Sequence, residues 1–321
     1  MKTITVLGGL GYIGSHLCEI LLNQGYKVVN LDIELFGWKH CKLFEHENFI
    51  HIRGDARSSA DLAVAIRDSD IVVNLAGLVG DPACSLNLDE TWLHNVVSSN
   101  TIAEVCDYFN VERLIYASSC SVYGAAPSDI TLNEGSYLNP VSLYARTKIK
   151  SEEIFLEKFS GIASIIRLAT VFGYSERMRF DLVVNGFTIR ALKGLPIEVY
   201  GGNQFRPFIH CFDAARAFLA LVEEKEVKHI DNEIFNICAE NISIVNLARK
   251  VKEIVGGDIK FVNVKEDDRN YQVSSEKARW LLDYEPVYDL EIGIKDMVEN
   301  LKDKVYDDWE KNDLYYNHKV C

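Results

Sequence analysis

The sequence predicts an α/β protein, a doubly wound parallel sheet followed by a smaller C-terminal α/β domain. Three observations predict this fold. Short apolar runs alternate with longer segments of helical period through the first half, a glycine-rich segment follows the first run, and the alternation loosens after Gly173. The 321 residues are 48% apolar, which is enough to fill the core of one large or two closely joined domains.

Residues 1–173 carry the regular alternation and are predicted to form the first domain. The predicted strands are Thr3–Leu7, Lys27–Leu31, Phe49–Arg53, Ile71–Leu75, Arg113–Ala117 and Ala163–Leu168. The predicted helices are Tyr12–Asn23, Ser59–Arg67, Glu90–Phe109 and Val141–Phe159. Six strands joined by crossover helices form a parallel sheet, and such sheets bind ligands at the carboxyl ends of their strands.

Residues 174–321 are predicted to form the second domain, with the chain crossing between the two. Its predicted helices are Asp213–Glu224, Ile244–Val255, Ser274–Leu282 and Glu291–Lys302, and its predicted strands are Ile197–Tyr200, Glu233–Ile237 and Lys260–Val264. There is no Pro-rich linker, so this part is expected to pack directly on the first. The segment Tyr306–Cys321 is polar and aromatic, and its role is left open.

Charge and cysteine content exclude several classes of function. With 34 Lys+Arg against 47 Asp+Glu the net charge is −13, so nucleic acid is an unfavourable partner, and an anionic ligand needs local cations. The eight cysteines include no C-x-x-C pair and no cluster at metal-ligand spacing, which predicts reduced thiols, no metal site and a cytoplasmic location. Because every 18-residue stretch contains charge, no membrane span is expected.

The segment LGGLGYIG is predicted to bind a dinucleotide. Gly8, Gly11 and Gly14, with Tyr12 and Ile13 between them, lie between a predicted strand and a predicted helix, where backbone N–H groups can approach a pyrophosphate. Asp32 ends the next strand, 18 residues after Gly14. A carboxylate there accepts both ribose hydroxyls and repels a 2′-phosphate, so NAD is predicted rather than NADP. The alternative is three turn glycines in a flavodoxin-like protein.

Asp55 and Ala56 come after the third predicted strand, at the same edge of the sheet. The Asp55 carboxylate is positioned either to reach the adenine or to cap the following helix, and the sequence favours neither.

Tyr144 and Lys148 are predicted to be catalytic together with Ser119. They are four residues apart in YARTK, so both project from one helix face, and Ser119 ends the fifth strand in SSCSVYG. Lowering a tyrosine pKa from about 10 to about 7 takes roughly 4 kcal/mol, and an ammonium about 5 Å away supplies roughly 3 kcal/mol. The charge of Lys148 and that of a positive nicotinamide together are therefore enough to lower the pKa of Tyr144 by this amount. The alternative is an ordinary solvated helix face, and Tyr315 with Lys319 is a second match regarded as chance.

With these motifs the chain resembles a known family, the extended short-chain dehydrogenase/reductases, which are NAD-dependent nucleotide-sugar epimerases and dehydratases. The resemblance covers nearly the whole chain. Its motifs are LGGLGYIG, Asp32, RGD ending at Asp55, NLAG (Asn74–Gly77), a helix Asn at Asn95, SSCSVYG, YARTK, RLATVFG, FRPFIHCFDAARA and DDRNYQVSSEKARWLL. It implies a Ser119–Tyr144–Lys148 triad and a second domain that binds a nucleotide-diphosphate sugar.

The resemblance also implies further contacts. Tightly bound NAD is expected against Leu75, Ala76, Gly77 and Asn95 as well as the glycine loop. The substrate is expected against Val79, Cys84, Ser119, Cys120, Ser121, Asn185, Arg206 and Arg269, with the two arginines on the pyrophosphate and ribose. A homodimer is expected through the helices Glu90–Phe109 and Val141–Phe159.

The two residues after Ser119 narrow the reaction within the family. The 4,6-dehydratases have an Asp-Glu pair there, whereas this chain has Cys120 and Ser121, so water elimination is disfavoured. A 4-epimerase or a 4-dehydrogenase acting through a 4-keto sugar remains. The segment Leu78–Asn87 departs from galactose-type epimerases and looks more like bacterial surface-polysaccharide enzymes, among them capsule GDP-manno-heptose 4-dehydrogenases, which are slightly favoured.

Several side chains keep two interpretations. Cys84 and Cys120 are either acid/base groups or, more often for buried thiols, packing residues. Arg177 and Arg179 are either substrate cations or surface charges, and His210 is expected to be structural. A dinucleotide-binding protein without catalysis is the remote alternative, disfavoured because Ser119, Tyr144 and Lys148 are all present.

Overall fold

The computed structural model describes residues 1–37, 42–127, 129–263, 269–302, 306 and 308–320. The strands are β1 (Thr3–Leu7), β2 (Lys27–Asp32), β3 (Phe49–Arg53), β4 (Ile71–Asn74), β5 (Arg113–Ser119), β6 (Thr131–Leu132), β7 (Ile162–Leu168), β8 (Thr170–Phe172), β9 (Ile197–Tyr200), β10 (Phe205–His210), β11 (Glu233–Ile237), β12 (Glu240–Ser243), β13 (Ile259–Val262) and β14 (Gln272–Val273). The helices are α1 (Gly14–Asn23), α2 (Ser59–Ile66), α3 (Asp81–Cys84), α4 (Leu88–Trp92), α5 (Ser98–Tyr108), α6 (Leu143–Lys158), α7 (Val183–Leu192), α8 (Cys211–Glu223), α9 (Ile244–Val255), α10 (Glu276–Leu282), α11 (Leu290–Lys302) and α12 (Asn317–Val320).

A seven-stranded parallel sheet forms the centre of the molecule, which confirms the doubly wound fold. The strand order is β11-β7-β5-β4-β1-β2-β3. The first and fourth strands are entirely buried because helices cover both faces of the sheet. The sequence predicts six strands for this sheet and assigns the seventh, β11, to the second domain. The structure corrects this assignment, since β11 pairs in parallel with β7.

The strand order reverses at β1, whose neighbours are β2 on one side and β4 on the other. At such a reversal the loops that leave the carboxyl ends of the two neighbouring strands diverge, and a crevice opens between them. The loop after β1 is the glycine-rich segment and the loop after β4 begins at Leu75. The topology therefore places both predicted cofactor segments at one crevice.

The other described strands form smaller sheets. They are a three-stranded sheet, β12-β10-β8, and the pairs β13-β9 and β14-β6. A separate hydrophobic cluster includes Phe180, Tyr306 and Trp309. The described part of the tail, residues 306 and 308–320, thus packs on the second half of the chain through its aromatic side chains. The division at residue 173 stays a prediction, with the chain crossing back into the main sheet through β11.

Some element boundaries differ from those predicted. The predicted helix over 90–109 begins earlier, at Leu88, and contains one π-helical turn, Leu93–Val97, between α4 and α5. The predicted strand over 260–264 is Ile259–Val262, and residue 264 lies outside the described residues. Cys41 and Cys321 also lie outside them, and the six described cysteines are free thiols. Within the described residues, no helix is long and apolar enough to cross a membrane.

Candidate active site

A cleft runs along the carboxyl edge of the main sheet, between the loops after β1 to β5 and segments of the second half. The predicted site residues that line it are Gly8, Gly11, Tyr12, Ile13, Gly14, Asp32, Asp55, Ala56, Leu75, Ala76, Gly77, Val79, Ser119, Ser121, Tyr144, Lys148 and Arg269. The structure therefore brings the predicted cofactor loop and the predicted catalytic residues to one cavity.

The glycine loop has no room for a side chain at Gly8 or Gly14. Gly8 has a φ of 85°, and a Cβ there would lie 3.1 Å from the Ala76 nitrogen. A Cβ on Gly14 would overlap the Gly8 carbonyl oxygen and lie 2.7 Å from the Gly9 Cα. Main chain therefore packs closely on main chain at the start of α1, which is the arrangement in which backbone N–H groups hold a pyrophosphate. The chain here fits a dinucleotide.

Asp32, at the end of β2, is tied to the glycine loop. Its Oδ2 accepts a hydrogen bond of 3.0 Å from the Leu10 N–H, and its Oδ1 accepts one of 2.8 Å from the Glu34 N–H. Burial raises the pKa of the Asp32 carboxyl, and these two N–H donors partly offset that rise. The carboxylate oxygens keep further lone pairs for the two hydroxyls of a ribose.

Asp55 does not cap the helix that follows β3, because Ser58 does so by accepting from the Asp61 N–H. Asp55 instead pairs with Arg57, with an Nη2 to Oδ2 distance of 2.7 Å, and Arg57 also bonds Glu90 at 3.0 Å. Although burial acts to raise it, the hydrogen bonds from Arg57 hold the pKa of Asp55 below its ordinary value. The N-cap interpretation of Asp55 is therefore wrong, and an adenine contact stays a prediction.

The helix α6 carries Tyr144 and Lys148, and it begins at a side-chain cap. Ser142 is the N-cap residue, and its hydroxyl oxygen accepts from the Ala145 N–H. Lys148 is 3% exposed, and its Nζ donates to the Ala117 carbonyl at 2.7 Å. This bond holds the ammonium 5.7 Å from the centre of the Tyr144 ring. Ser119, at the end of β5, accepts a hydrogen bond of 3.1 Å from the Ser121 N–H.

Burial raises the pKa of the Tyr144 hydroxyl to about 12, although the Lys148 charge and a hydrogen bond with Ser119 both act to lower it. Without a ligand, the phenol is therefore a poor base near neutral pH. An additional positive charge or hydrogen-bond donor must arrive with the ligands before this group can accept a proton at pH 7.

Four residues with predicted ligand contacts, Asn95, Asn185, Cys84 and Cys120, do not line the cleft, and their contacts with a ligand stay predictions. Asn95 binds the backbone of Leu78 at both ends of its amide, and Asn185 donates to the Tyr12 hydroxyl and the Arg179 carbonyl. Cys84 and Cys120 donate to the carbonyls of Leu78 and Arg167. Burial raises the pKa of the Cys120 thiol well above its ordinary value, so the thiol stays neutral. This favours a packing role for Cys120 over an acid/base role.

The wall opposite the cofactor loops was predicted in part: the sequence singled out its arginines, but neither Tyr271 nor Asn317. It contains Arg177, Arg179, Tyr271 and Asn317 together with the predicted Arg269. Arg179 pairs with Asp181 at 2.7 Å and Arg269 with Asp81 at 2.5 Å, while Arg177 lies 3.6 Å from the centre of the Phe36 ring. The surface interpretation of Arg177 and Arg179 is wrong, because both line the cleft.

Arg206 lies behind this wall. Its guanidinium donates to the Phe205 carbonyl at 2.8 Å and also bonds the Arg269 carbonyl. A contact between Arg206 and a substrate phosphate stays a prediction.

The tail supplies Asn317, which is 3% exposed. Its Nδ2 donates to the Val79 carbonyl at 3.1 Å, and its Oδ1 accepts from Arg177 at 2.6 Å. The tail is held in place at Phe180, whose N–H donates to the Tyr315 carbonyl and whose ring packs against Trp309. No sequence motif marked this segment, and its aromatic content was the main available signal.

Comparisons with known proteins agree with this geometry. A family model described as the NAD dependent epimerase/dehydratase family matches residues 4–238. The chain is 33% identical to the protein CapI of Staphylococcus aureus over 236 residues, which cover 69% of each protein. It is 27% identical over 317 residues to YtcB of Bacillus subtilis, named an uncharacterized UDP-glucose epimerase, with 93% of this chain and 97% of YtcB covered.

Among solved structures, the chain resembles UDP-glucuronic acid 4-epimerase from Bacillus cereus, crystallised with UDP-glucuronic acid and NAD. The TM-score is 0.84 at 26% identity, covering 94% of this chain and 99% of that one. The match over residues 4–238 and a glycine cradle that fits a dinucleotide lead to one assignment. The chain belongs to the NAD-dependent epimerase/dehydratase family of nucleotide-sugar enzymes, whose cofactor is NAD.

Proposed function

We propose that the protein oxidises C4 of a nucleotide-diphosphate sugar to a 4-ketone, with Tyr144 as the base. The observation that carries this proposal is the placement of Tyr144, Lys148 and Ser119 on the wall of the NAD cleft. Bound NAD supplies the hydride acceptor. Tyr144, ionised in the complex, takes the proton of the C4 hydroxyl, so that the C–H electron pair leaves as hydride and a carbonyl remains.

The other two residues act on Tyr144. Lys148 is fixed by the Ala117 carbonyl and provides a positive charge that favours the tyrosinate. Ser119 is aligned by the Ser121 N–H and hydrogen-bonds the phenol and the sugar hydroxyl, which holds donor and acceptor in line. Because burial raises the pKa of Tyr144 to about 12, the positive nicotinamide has to supply part of the lowering.

Two outcomes are possible after the ketone forms, and we favour 4-epimerisation. The similarity to the Bacillus cereus 4-epimerase supports this outcome. The second candidate is a 4-dehydrogenase of the GDP-manno-heptose type from capsule biosynthesis, supported by the unusual Leu78–Asn87 segment and by the similarity to CapI. Dehydration is disfavoured because Cys120 is a buried neutral thiol and Ser121 carries no carboxylate.

The test is a single-turnover absorbance experiment with the NAD-loaded enzyme and a panel of UDP-, GDP- and dTDP-sugars, including UDP-glucose, UDP-glucuronic acid and GDP-manno-heptose. A C4-inverted sugar without lasting NADH indicates an epimerase. Lasting NADH with a 4-keto product indicates a dehydrogenase. Oxidation at a carbon other than C4 would overturn the proposal.

We also propose that the enzyme is a cytoplasmic homodimer that pairs through the helices around Leu88–Tyr108 and α6. Leu88, Trp92 and Val97 are 60%, 43% and 41% exposed along this face, an apolar stripe that a second copy would cover. Light scattering should give a dimer for the wild type and a monomer for Trp92→Glu. Trp280→Glu, at a residue 84% exposed on α10, is the matched control and should remain dimeric.

A further inference from the structure

The loop between β4 and α3, together with the first residue of α3, forms part of the cleft wall. Val79, Gly80 and Asp81 line the cleft, and Gly80 has a φ of 96°, a conformation that side chains disfavour. This loop belongs to the Leu78–Asn87 segment that departs from galactose-type epimerases. Its Val79 carbonyl accepts from Asn317 of the tail, so the loop is fixed on that side.

Asp81 binds two partners that are far apart in the sequence, one with each carboxylate oxygen. Oδ1 accepts from the Ser142 hydroxyl at 2.7 Å, and Oδ2 accepts from Nη1 of Arg269 at 2.5 Å. The Asp81 side chain is 20% exposed and that of Arg269 is 34% exposed, so both remain within reach of a ligand in the cleft.

Ser142 connects this contact to the catalytic helix. It is the N-cap of α6 and stands two residues before Tyr144. Its hydroxyl donates to Asp81, while its oxygen accepts from the Ala145 N–H, so both hydrogen-bonding roles are filled. The Asp81 charge also lies at the N-terminus of a 16-residue helix, where a negative charge is stabilising. Asp81 therefore fixes the first turn of α6, which holds Tyr144.

We propose that Asp81 is a positioning residue that joins the substrate-binding cation Arg269 to the catalytic helix. It holds Arg269 in the cleft for the diphosphate of the nucleotide sugar, and through Ser142 it sets the position of Tyr144. Arg269 has five N–H donors, so it can bind a diphosphate while one donor stays on Asp81. The expected diphosphate at Arg269 rests on the proposed function, whereas the link to α6 does not.

The test compares Asp81→Asn, Asp81→Ala and Ser142→Ala, with Asp89→Asn as a control at an exposed residue in the first turn of α4. Asp81→Asn keeps a hydrogen-bonding group for Ser142 but removes the charge facing Arg269. We expect its KM for the nucleotide sugar to rise about fivefold to twentyfold, with kcat within about twofold. Ser142→Ala should lower kcat about fivefold to tenfold and leave KM unchanged, because only the α6 link is lost.

Asp81→Ala should both raise KM and lower kcat. Because Asp81 and Ser142 act through the same hydrogen bond, the Asp81→Ala/Ser142→Ala double variant should have a kcat no lower than that of Asp81→Ala alone. Unchanged kcat and KM in all variants, with only a lower melting temperature, would overturn the proposal. Additive losses of kcat in the double variant would also overturn it.

Failure of the proposed function can be distinguished from failure of this inference. If the wild type oxidises no nucleotide sugar, two other quantities are compared between the variants. The affinity for UDP and GDP, measured by titration calorimetry, takes the place of KM. The pKa of Tyr144 in the NAD complex takes the place of kcat. Asp81→Asn should then weaken nucleoside diphosphate binding, and Ser142→Ala should raise the pKa of Tyr144. If neither quantity changes, the inference fails independently of the reaction.

Discussion

The two walls of the cleft are built in different ways. The cofactor wall is built mainly from short contiguous motifs, with Gly8 and Gly14 packed against neighbouring main chain. The opposite wall carries polar and charged side chains, two of which are held by partners far along the chain, Arg269 by Asp81 and Arg177 by Asn317. Backbone geometry fixes a cofactor common to a family, whereas paired side chains can be exchanged one by one. We infer that substrate identity is determined at the second wall.

The largest expected effect is at the point where both walls meet. Tyr144→Phe removes the proposed base and should lower turnover by about 10³-fold, within the range for general base catalysis, with NAD binding unchanged. Stopped-flow absorbance with the substrate found in the panel measures it. Tyr315→Phe, in the chance match of the tail, is the control and should retain activity. Equal turnover in Tyr144→Phe and the wild type would disprove the mechanism.

Gly14→Ala, in the cofactor wall, should weaken NAD binding strongly even though it adds only one methyl group. In Gly14→Ala the new Cβ overlaps the Gly8 carbonyl, so the loop must shift, and NAD affinity should fall about tenfold to a hundredfold. Fluorescence titration with NAD measures this loss. Gly135→Ala is the matched control, because the Cβ would meet only the Asn133 side chain at 3.5 Å. Wild-type NAD affinity in Gly14→Ala would show that the cradle does not hold the cofactor.

Asp32→Ala tests a charged group of the cofactor wall. We expect NAD affinity to fall about tenfold and the preference for NAD over NADP to relax, because the carboxylate that repels a 2′-phosphate is gone. The Leu10 N–H also loses its acceptor, so binding of both cofactors weakens. Titration of each cofactor measures both changes, and Glu34→Gln, at a residue that pairs with His51 at 2.9 Å, is the control. An unchanged NAD preference in Asp32→Ala would remove Asp32 from the site.

The smallest effect is expected at the tail. Asn317→Ala removes the hydrogen bonds to the Val79 carbonyl and to Arg177, and it should raise the substrate KM about threefold to tenfold, with NAD affinity within about twofold. Steady-state kinetics and NAD titration measure the two quantities. Asn312→Ala, in the same tail, removes the cap of a short turn and an exposed hydrogen bond to Asp308, and it should be neutral. If Asn317→Ala weakens NAD and spares the substrate, the assignment of the two walls is wrong.

The difference between the two walls also explains which site residues could be predicted from the sequence. Gly8, Gly14 and Asp32 were predictable because a strand, a tight turn and a helix impose their residue types locally. The ligand contacts of Asn185 and Asn95 stay predictions, because both amides bond neighbouring backbone in this structure and no local pattern tells such a contact from a ligand contact. The bond between Asn317 and Val79 spans 238 positions, so no local pattern could indicate it.

The most direct test of the mechanism is the pKa of Tyr144 with and without NAD⁺, from the tyrosinate absorbance of the wild type minus that of Tyr144→Phe. Without NAD⁺, burial holds this pKa at about 12. We predict that the pKa of Tyr144 falls by several units when NAD⁺ binds. The fraction of Tyr144 in the active phenolate form should then increase with pH up to this lowered pKa and be constant above it, and kcat should follow that fraction. A pKa that stays at about 12 in the NAD⁺ complex would contradict the assignment of Tyr144 as the base.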